Sequence, residues 1–181
     1  GYNIMNENIK VGNKITVDLK DLGEFEATAH EVNDTDILFI FDDYIAERPM
    51  NENNTNVGGY EESDLKKWVD SVLFMAFPDW LRYQITDLSI PTAGEIFGWD
   101  DKWIQKHVVP DKDKQLPLMK HRENRFILLD DQWGWLRNAI KPDQSSANFT
   151  VVDDGGYAVY YSASCSLGVR PEFRIIRSIM K

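Results

Sequence analysis

The sequence predicts an α+β domain with antiparallel strands at both ends of the chain and helices between them. Apolar and polar residues alternate near the start, apolar residues recur at helical spacing in the middle, and strand-like spacing returns after Arg125. Strands that are grouped apart from helices favour an α+β arrangement. The 181 residues suffice for one domain. We expect a single domain over 1–181, with a strand meander at 9–45, a helical middle at 60–108 and a strand region at 125–177.

The first strands follow from alternation. Residues Ile9–Val17 alternate around a turn at Gly12, and Phe25–Val32 alternate again. The short apolar run Ile37–Phe41 predicts a third strand. Residues 33–36 between them are of the kind that hydrogen-bond their own backbone, which is typical of a turn.

The middle of the chain predicts helices. A helix over Ser63–Ala76 would begin at an N-cap serine and end before Pro78. A second short helix is expected over Asp79–Ile85. A third is expected over Thr92–His107, with a capping box at its start and a break at Gly98. The first helix would bury one stripe: Leu65, Trp68, Val69, Val72, Leu73 and Ala76.

The C-terminal region predicts further strands, separated by a Gly-Gly turn at 155–156. The candidates are Phe126–Leu129, Phe149–Val152, Ala158–Ser162 and Gly168–Ile176.

Composition limits the classes of partner and the kinds of site that we expect for this protein. A net charge of −10 repels phosphate backbones, so we expect no nucleic acid partner. No apolar run is long enough to span a membrane, and no signal peptide is visible. The one cysteine, Cys165, excludes an intrachain disulfide and a multi-cysteine zinc site. The oligomeric state stays open.

Two motifs resemble those of a domain family of unknown function found in bacteria, often Firmicutes, and in their phages. The stretch Tyr60-x-x-Ser63-Asp64-Leu65-Lys66-x-Trp68 resembles that family's Y-x-x-S-D-L-R-x-W-L signature. The later signature, W-W-L-R-S followed by G-V-R-P-A, is similar to residues 133–138 and 168–172. The resemblance covers most of the chain from about Ile9. Gly134 splits the usual tryptophan pair, and Asn138 replaces the usual serine.

The closing motif also resembles C-type-lectin-like folds of the formylglycine-generating and phage tropism-determinant kind. The resemblance implies a C-type-lectin-like α+β domain that displays a surface between its last strands. The localisation stays open: with no signal peptide visible, the options are a cytoplasmic or a phage-particle-associated protein. The single Cys165 argues against transferring the formylglycine-generating activity, which needs more than one thiol.

Four residues are predicted to be structural. Trp68 and Trp135 suit a core, and Arg137 and Arg170 stand among strong core-forming residues. A planar guanidinium can satisfy several carbonyls and carboxylates at once. Candidate partners for the two arginines are Asp64, Asp130 and Asp131.

A binding surface is predicted around the tyrosines of the C-terminal region. Tyr160 and Tyr161 are neighbours on one strand and must point to opposite faces, so at least one is exposed. Exposed tyrosines beside small polar residues are typical of binding surfaces. An equally weighted alternative is that they are half-buried at a sheet edge. The candidate ligand-binding residues are Asn138, Asp143, Asn148, Tyr157, Tyr160 and Tyr161.

The leading hypothesis is a non-enzymatic domain that binds a protein or a glycan. We expect no cofactor and no metal, although acidic pairs at 130–131 and 153–154 could offer oxygen ligands to calcium. One alternative is an enzyme that uses Cys165 or the acidic turns. Another is a structural module that buries the aromatic surface against a partner in a phage or cell-surface complex.

Overall fold

The computed structural model describes residues 8–128 and 130–177, and that part of the chain contains ten strands in two five-stranded sheets. The strands are β1 (Lys14–Asp18), β2 (Glu24–Val32), β3 (Asp36–Phe41), β4 (Ala46–Arg48), β5 (Ile85–Ser89), β6 (Gly134–Ala139), β7 (Asn148–Val152), β8 (Ala158–Ser162), β9 (Leu167–Val169) and β10 (Glu172–Ile176). Sheet A has the order β1-β2-β3-β10-β5 and is antiparallel throughout. Sheet B has the order β4-β9-β6-β7-β8, and its one parallel contact joins β6 to β9. The molecule is therefore α+β, as the sequence predicts.

The helices are short and lie between β4 and β6. They are α1 (Asp64–Trp68), α2 (Phe74–Ala76), α3 (Asp79–Arg82), α4 (Ala93–Phe97) and α5 (Lys102–His107). A π-helix over Val69–Leu73 joins α1 to α2. No helix in the described ranges is long and apolar enough to cross a membrane.

The predicted caps are confirmed. The Ser63 hydroxyl accepts a hydrogen bond from the Lys66 backbone N–H at 3.0 Å, which satisfies one free donor of the first turn. Thr92 and Glu95 form the capping box at the start of α4, and Gly98 ends that helix.

One residue of the predicted buried stripe was placed wrongly, because the Val72 side chain is 52% exposed. The π-helix has more residues per turn than an α-helix, which rotates Val72 away from the core.

Two predicted elements differ from the structure. The helix predicted over Asp79–Ile85 ends at Arg82, and β5 follows because its residues pair with β10 at the edge of sheet A. The strand predicted from Phe126 is absent over residues 126–128, and Leu129 lies outside the described residues. Within Ile9–Val17, the strand begins at Lys14, after the predicted turn, in which Gly12 has a φ of 95°.

The strand predicted over Gly168–Ile176 is two strands in two different sheets. It breaks at Arg170 and Pro171, where the missing proline N–H interrupts the ladder. Before the break, β9 belongs to sheet B, and after it β10 lies between β3 and β5. The two ends of the chain therefore share sheet A through β10 alone.

The larger apolar core joins both sheets to the first helical segment. Phe173 of sheet A packs against Phe39 and Phe41 of the same sheet, and Phe77 packs against Phe41 and Phe173. Leu65, Trp68 and Leu73 of the helical segment and Trp135 and Phe149 of sheet B belong to the same cluster. A second core, which includes Leu38 and Ile40, packs against α4, α5 and the segment around Met119.

Candidate functional site

The three predicted tyrosines lie along the outer strand of sheet B. Tyr157, Tyr160 and Tyr161 are 57%, 52% and 38% exposed. Strand β8 pairs with β7 alone among the described residues, so its other side is open. Because adjacent strand residues point to opposite faces, Tyr160 and Tyr161 display their rings on both faces of this edge.

Each of these rings rests on another side chain. Tyr160 stacks on Trp103 of α5, with ring centroids 6.3 Å apart and an interplanar angle of 13°. Tyr161 meets Trp133 edge to face at 5.4 Å. The Arg122 guanidinium lies 5.0 Å from the Tyr157 ring centroid. We call the three tyrosines with Trp103 and Trp133 the tyrosine edge.

The backbone of β8 is also available along this side. Tyr157 accepts a hydrogen bond from the Asp153 N–H, and Ala163 donates one to the Ala147 carbonyl. In an antiparallel pair, bonded positions alternate with positions that face away. The N–H and C=O groups of Ala158 and Tyr160 and the N–H group of Ser162 therefore face the open edge, whereas the Ser162 carbonyl accepts a hydrogen bond from the Cys165 N–H.

The other predicted ligand residues do not join the tyrosines. Asn138 is buried in β6, where its side chain accepts from the Ala93 N–H at 2.8 Å and donates to the Val109 carbonyl and to Asp111. Its amide thus fastens a loop to α4, which explains why asparagine stands here. Asp143 is exposed in a turn, and Asn148 is half-buried at the start of β7.

Arg137 ties the sheets together. Its Nε donates to the Ile90 carbonyl at 2.5 Å, and its Nη2 donates to Glu172 at 3.2 Å and lies 3.8 Å from Glu95. The predicted aspartate partners are therefore replaced by buried glutamates. Asp64 instead accepts from the Glu52 N–H, ahead of α1.

Glu95 and Glu172 form a buried carboxyl pair beside Arg137. Burial raises the pKa of Glu95, and burial together with the nearby charge of Glu95 raises the pKa of Glu172 well above its usual range. Within the described part of the chain, Glu172 Oε1 has no hydrogen-bond partner, and neither do the buried hydroxyls of Tyr60 and Ser89. Ser89 lies directly opposite Glu172 in the sheet A register.

Sheet A carries a polar cleft that no sequence pattern indicates. This cleft, of about 410 Å³, has a polar floor and an apolar wall, and we call it the His30 cleft. A β-bulge at His30 in β2 interrupts the register with β3 between Ala29 and Glu31. Bulges redirect side chains and are frequent beside binding sites. The floor is made by Lys14, Thr28, His30, Asp42 and Arg170, and the wall by Leu118, Phe126 and Ile127.

Charged and polar groups on the floor of the cleft are tightly connected. Asp42 forms an ion pair with Lys14 and accepts a hydrogen bond from the Thr28 hydroxyl at 2.5 Å. Arg170 donates from Nε to the Phe41 carbonyl at 2.7 Å and from Nη1 to the Asn124 carbonyl at 3.0 Å. His30 is 3% exposed, and its Nδ1 has no hydrogen-bond partner among residues 8–128 and 130–177. Burial, with the charge of Arg170, lowers the pKa of His30 to about 4.

The residues proposed for alternative chemistry are scattered. Cys165 is half-buried in the turn after β8. Asp153 uses one carboxylate oxygen to accept from the Gly155 and Tyr157 N–H groups, which is an ordinary turn arrangement. Within residues 8–128 and 130–177, no three His, Cys, Asp or Glu side chains are grouped as a metal site would require.

Comparison with known proteins gives one match. A family model described as a domain of unknown function, DUF6273, matches residues 35–176. No curated protein and no solved structure matches the chain. The matched range includes the tyrosine edge and Arg170, whereas Lys14 and His30 precede it.

Proposed function

Because the chain belongs to the DUF6273 family, whose description names no activity, we propose from its own geometry that it is a non-enzymatic binding domain. It takes up an extended segment of a protein partner alongside β8. The observation that carries this proposal is the open edge of β8, flanked by exposed tyrosine rings on both faces.

The chemistry of an added strand fits this edge. The outward N–H and C=O groups of Ala158 and Tyr160, with the N–H group of Ser162, offer backbone hydrogen bonds to a partner strand. Side chains of that strand would alternate between the Tyr160–Trp103 pair on one face and the Tyr161–Trp133 pair on the other. Tyrosine and tryptophan give a large contact area at a small cost in conformational entropy.

Charge favours a basic partner segment. The chain carries a net charge of −10, and the exposed Asp154 lies in the turn that leads into β8. Opposite charge on the partner would speed association and orient it. The C-type-lectin-like fold and the bacterial or phage origin that the sequence motifs imply are parts of the same proposal. In those folds, too, the last strands flank a displayed surface.

The test is selection from a phage-displayed library of random linear peptides. We expect selected peptides to bind the wild-type protein and to lose about tenfold or more in affinity for Tyr160→Ala and Tyr161→Ala, as for central aromatic contacts. The matched control is Tyr83→Ala, because Tyr83 is 82% exposed but lies away from β8, after α3. Thermal melts should stay close to that of the wild type for all three variants.

Two outcomes would overturn the proposal. The first is peptide affinity that is equal for Tyr160→Ala, Tyr161→Ala and Tyr83→Ala. The second is failure to enrich any peptide while a glycan array gives binding that both edge variants lose. The second outcome would assign the tyrosine edge to a glycan.

A further inference from the structure

The His30 cleft has the properties of a small-molecule site that is separate from the tyrosine edge. Its volume of about 410 Å³ lies within the range of ligand pockets. Its apolar wall comes from the 118–127 segment, and its polar floor comes from β1, β2 and the residues that flank β3 and β10. Such a combination of an apolar wall and a few convergent polar groups is typical of ligand sites.

An unused buried nitrogen marks the point of recognition. Buried polar atoms are nearly always hydrogen-bonded, because leaving one unpaired costs about 1–3 kcal/mol. His30 Nδ1 is such an atom, and it belongs to a residue that lines the cleft and that a bulge displaces from the regular register. Because Nδ1 has almost no accessible surface, a ligand must shift the imidazole slightly to come within hydrogen-bonding range, and its oxygen would then satisfy the nitrogen.

Arg170 supplies the second recognition group. Its Nε and Nη1 donate to backbone carbonyls, which hold the guanidinium in place without neutralising it. Among the described residues, Nη2 has no acceptor within hydrogen-bonding distance. An arginine that is fixed by carbonyls and keeps a free donor is well suited to a carboxylate. Lys14 is a weaker candidate, since Asp42 already pairs with it.

We propose that the His30 cleft binds a small carboxylate with an apolar body, whose carboxylate contacts Arg170 Nη2 and His30 Nδ1 and whose body lies against Leu118, Phe126 and Ile127. Because the pKa of His30 is low, its imidazole is neutral near pH 7 and donates from Nδ1 in one tautomer. Asp42 and Glu123 also line the cleft, so an amino group beside the carboxylate could be accommodated. The ligand is thus an apolar amino acid or its amine-free counterpart.

The test is titration by calorimetry and by NMR with three matched probes. L-Phenylalanine carries both groups, 3-phenylpropionate lacks the amine, and phenethylamine lacks the carboxylate. We expect saturable binding of at least one of the two carboxylates and none of phenethylamine. The difference in affinity between L-phenylalanine and 3-phenylpropionate shows whether the amine contributes to binding. The NMR signal of His30 should titrate at higher pH when the carboxylate is bound, since an adjacent anion favours the charged imidazole.

Single substitutions in the His30 cleft and outside it test where the carboxylate binds. His30→Leu should weaken carboxylate binding about tenfold or more, because it removes one of the two groups that the carboxylate contacts. Ile127→Asp, in the wall, should weaken it without touching sheet A. His107→Leu is the matched histidine control, since His107 lies outside the cleft, against Trp103. Arg170 is left unchanged because its carbonyl contacts also support the fold.

Several results would overturn this inference. They are the absence of carboxylate binding, equal binding of phenethylamine, or unchanged affinity in both His30→Leu and Ile127→Asp. If His30→Leu fails to fold, Ile127→Asp alone decides. The peptide selection at the tyrosine edge is independent of all these outcomes.

Discussion

Arg137 Nη2 donates to Glu172 Oε2 at 3.2 Å, and this contact links β6 of sheet B to β10 of sheet A. Glu172 is buried, and Arg137 is about a quarter exposed. Removing one partner of such a pair leaves a buried charge without compensation, whereas replacing both with apolar residues is often tolerated.

We therefore expect Arg137→Met to lower the free energy of unfolding by roughly 3–5 kcal/mol. The double variant Arg137→Met/Glu172→Leu should regain part of that loss, because Glu172 no longer leaves a buried carboxylate without its partner, while Glu95 keeps its hydrogen bond from the Thr92 N–H. Urea denaturation of the single and double variants measures both values. A double variant less stable than Arg137→Met would contradict this account of the pair.

The buried carboxyl pair should make stability fall as pH rises. Glu95 and Glu172 have folded-state pKa values above the ordinary value of 4.5, so the folded protein holds protons that the unfolded chain releases. The stability that this pair contributes is complete below about pH 4.5 and is lost as pH rises through the folded-state values. Glu172→Gln should remove much of this fall in unfolding free energy with rising pH. The test is to measure the unfolding free energies of Glu172→Gln and the wild type from pH 4 to 8. Parallel profiles for the two proteins would show that the carboxyl pair does not cause the pH dependence.

His30 should have the opposite effect and make the free energy of unfolding rise with pH. Its pKa falls from 6.5 to about 4 on folding, so its contribution is complete above pH 6.5 and is lost as pH falls towards 4. Lys14, Asp42 and Arg170 are the charged groups that act on it. The difference corresponds to roughly 3 kcal/mol at most. His30→Leu should retain more of its own stability between pH 6.5 and 4.5 than the wild type does. The expectation fails if both proteins lose the same fraction over that range.

Two neighbouring positions of the first helical segment should respond very differently to truncation. Trp68 is 9% exposed, and the Arg48 guanidinium covers its ring at 4.8 Å, whereas Val72 is 52% exposed. Trp68→Ala should cost roughly 3–5 kcal/mol, as for other large-to-small core changes. Val72→Ala should remain within about 0.5 kcal/mol of the wild type. Thermal and urea denaturation of both variants tests this, and similar losses would mean that the helix is rotated.

Gly134 should be intolerant of a side chain. A Cβ there would lie 2.6 Å from Tyr44 Cε1, and one at Gly168 would lie 2.6 Å from the same ring. The Tyr44 ring thus packs over the parallel contact between β6 and β9, which explains the glycine between the two tryptophans. Gly134→Ala should cost roughly 1–3 kcal/mol. Gly155→Ala is the control, because its Cβ would meet neighbours only at 3.4 Å. Equal stabilities would show that Tyr44 moves aside freely.

The sequence was most informative where structure depends on near neighbours. The caps at Ser63 and at Thr92 with Glu95 involve residues three apart, and the break at Gly98 is equally local. Strand boundaries depend on distant pairing instead. Residues 85–89 become β5 only because β10, more than eighty residues later, lies beside them. The π-helix that exposes Val72 likewise has no sequence signal that we recognise.

The candidate sites divide in the same way. Alternation alone predicts that Tyr160 and Tyr161 point to opposite faces, but the packing against Trp103 and Trp133 depends on the assembled fold. His30 continues the alternation of Phe25–Val32, and nothing in that stretch indicates a bulge. Glu95, Arg137 and Glu172 are far apart in sequence, so only the pairing of β10 reveals the carboxyl pair.

The position of β10 has a consequence for biosynthesis. This strand separates β3 from β5 in sheet A, and it is the last of the strands to leave the ribosome. Until it emerges, β3 presents an open edge, and β5 has no neighbour in the sheet. The nascent chain can form the β1-β2-β3 meander early, but its central sheet and buried carboxyl pair wait for nearly all of the matched domain to be translated. Folding of this domain is therefore late and cooperative, and the exposed edge of β3 is where a chaperone or a misplaced strand would act first.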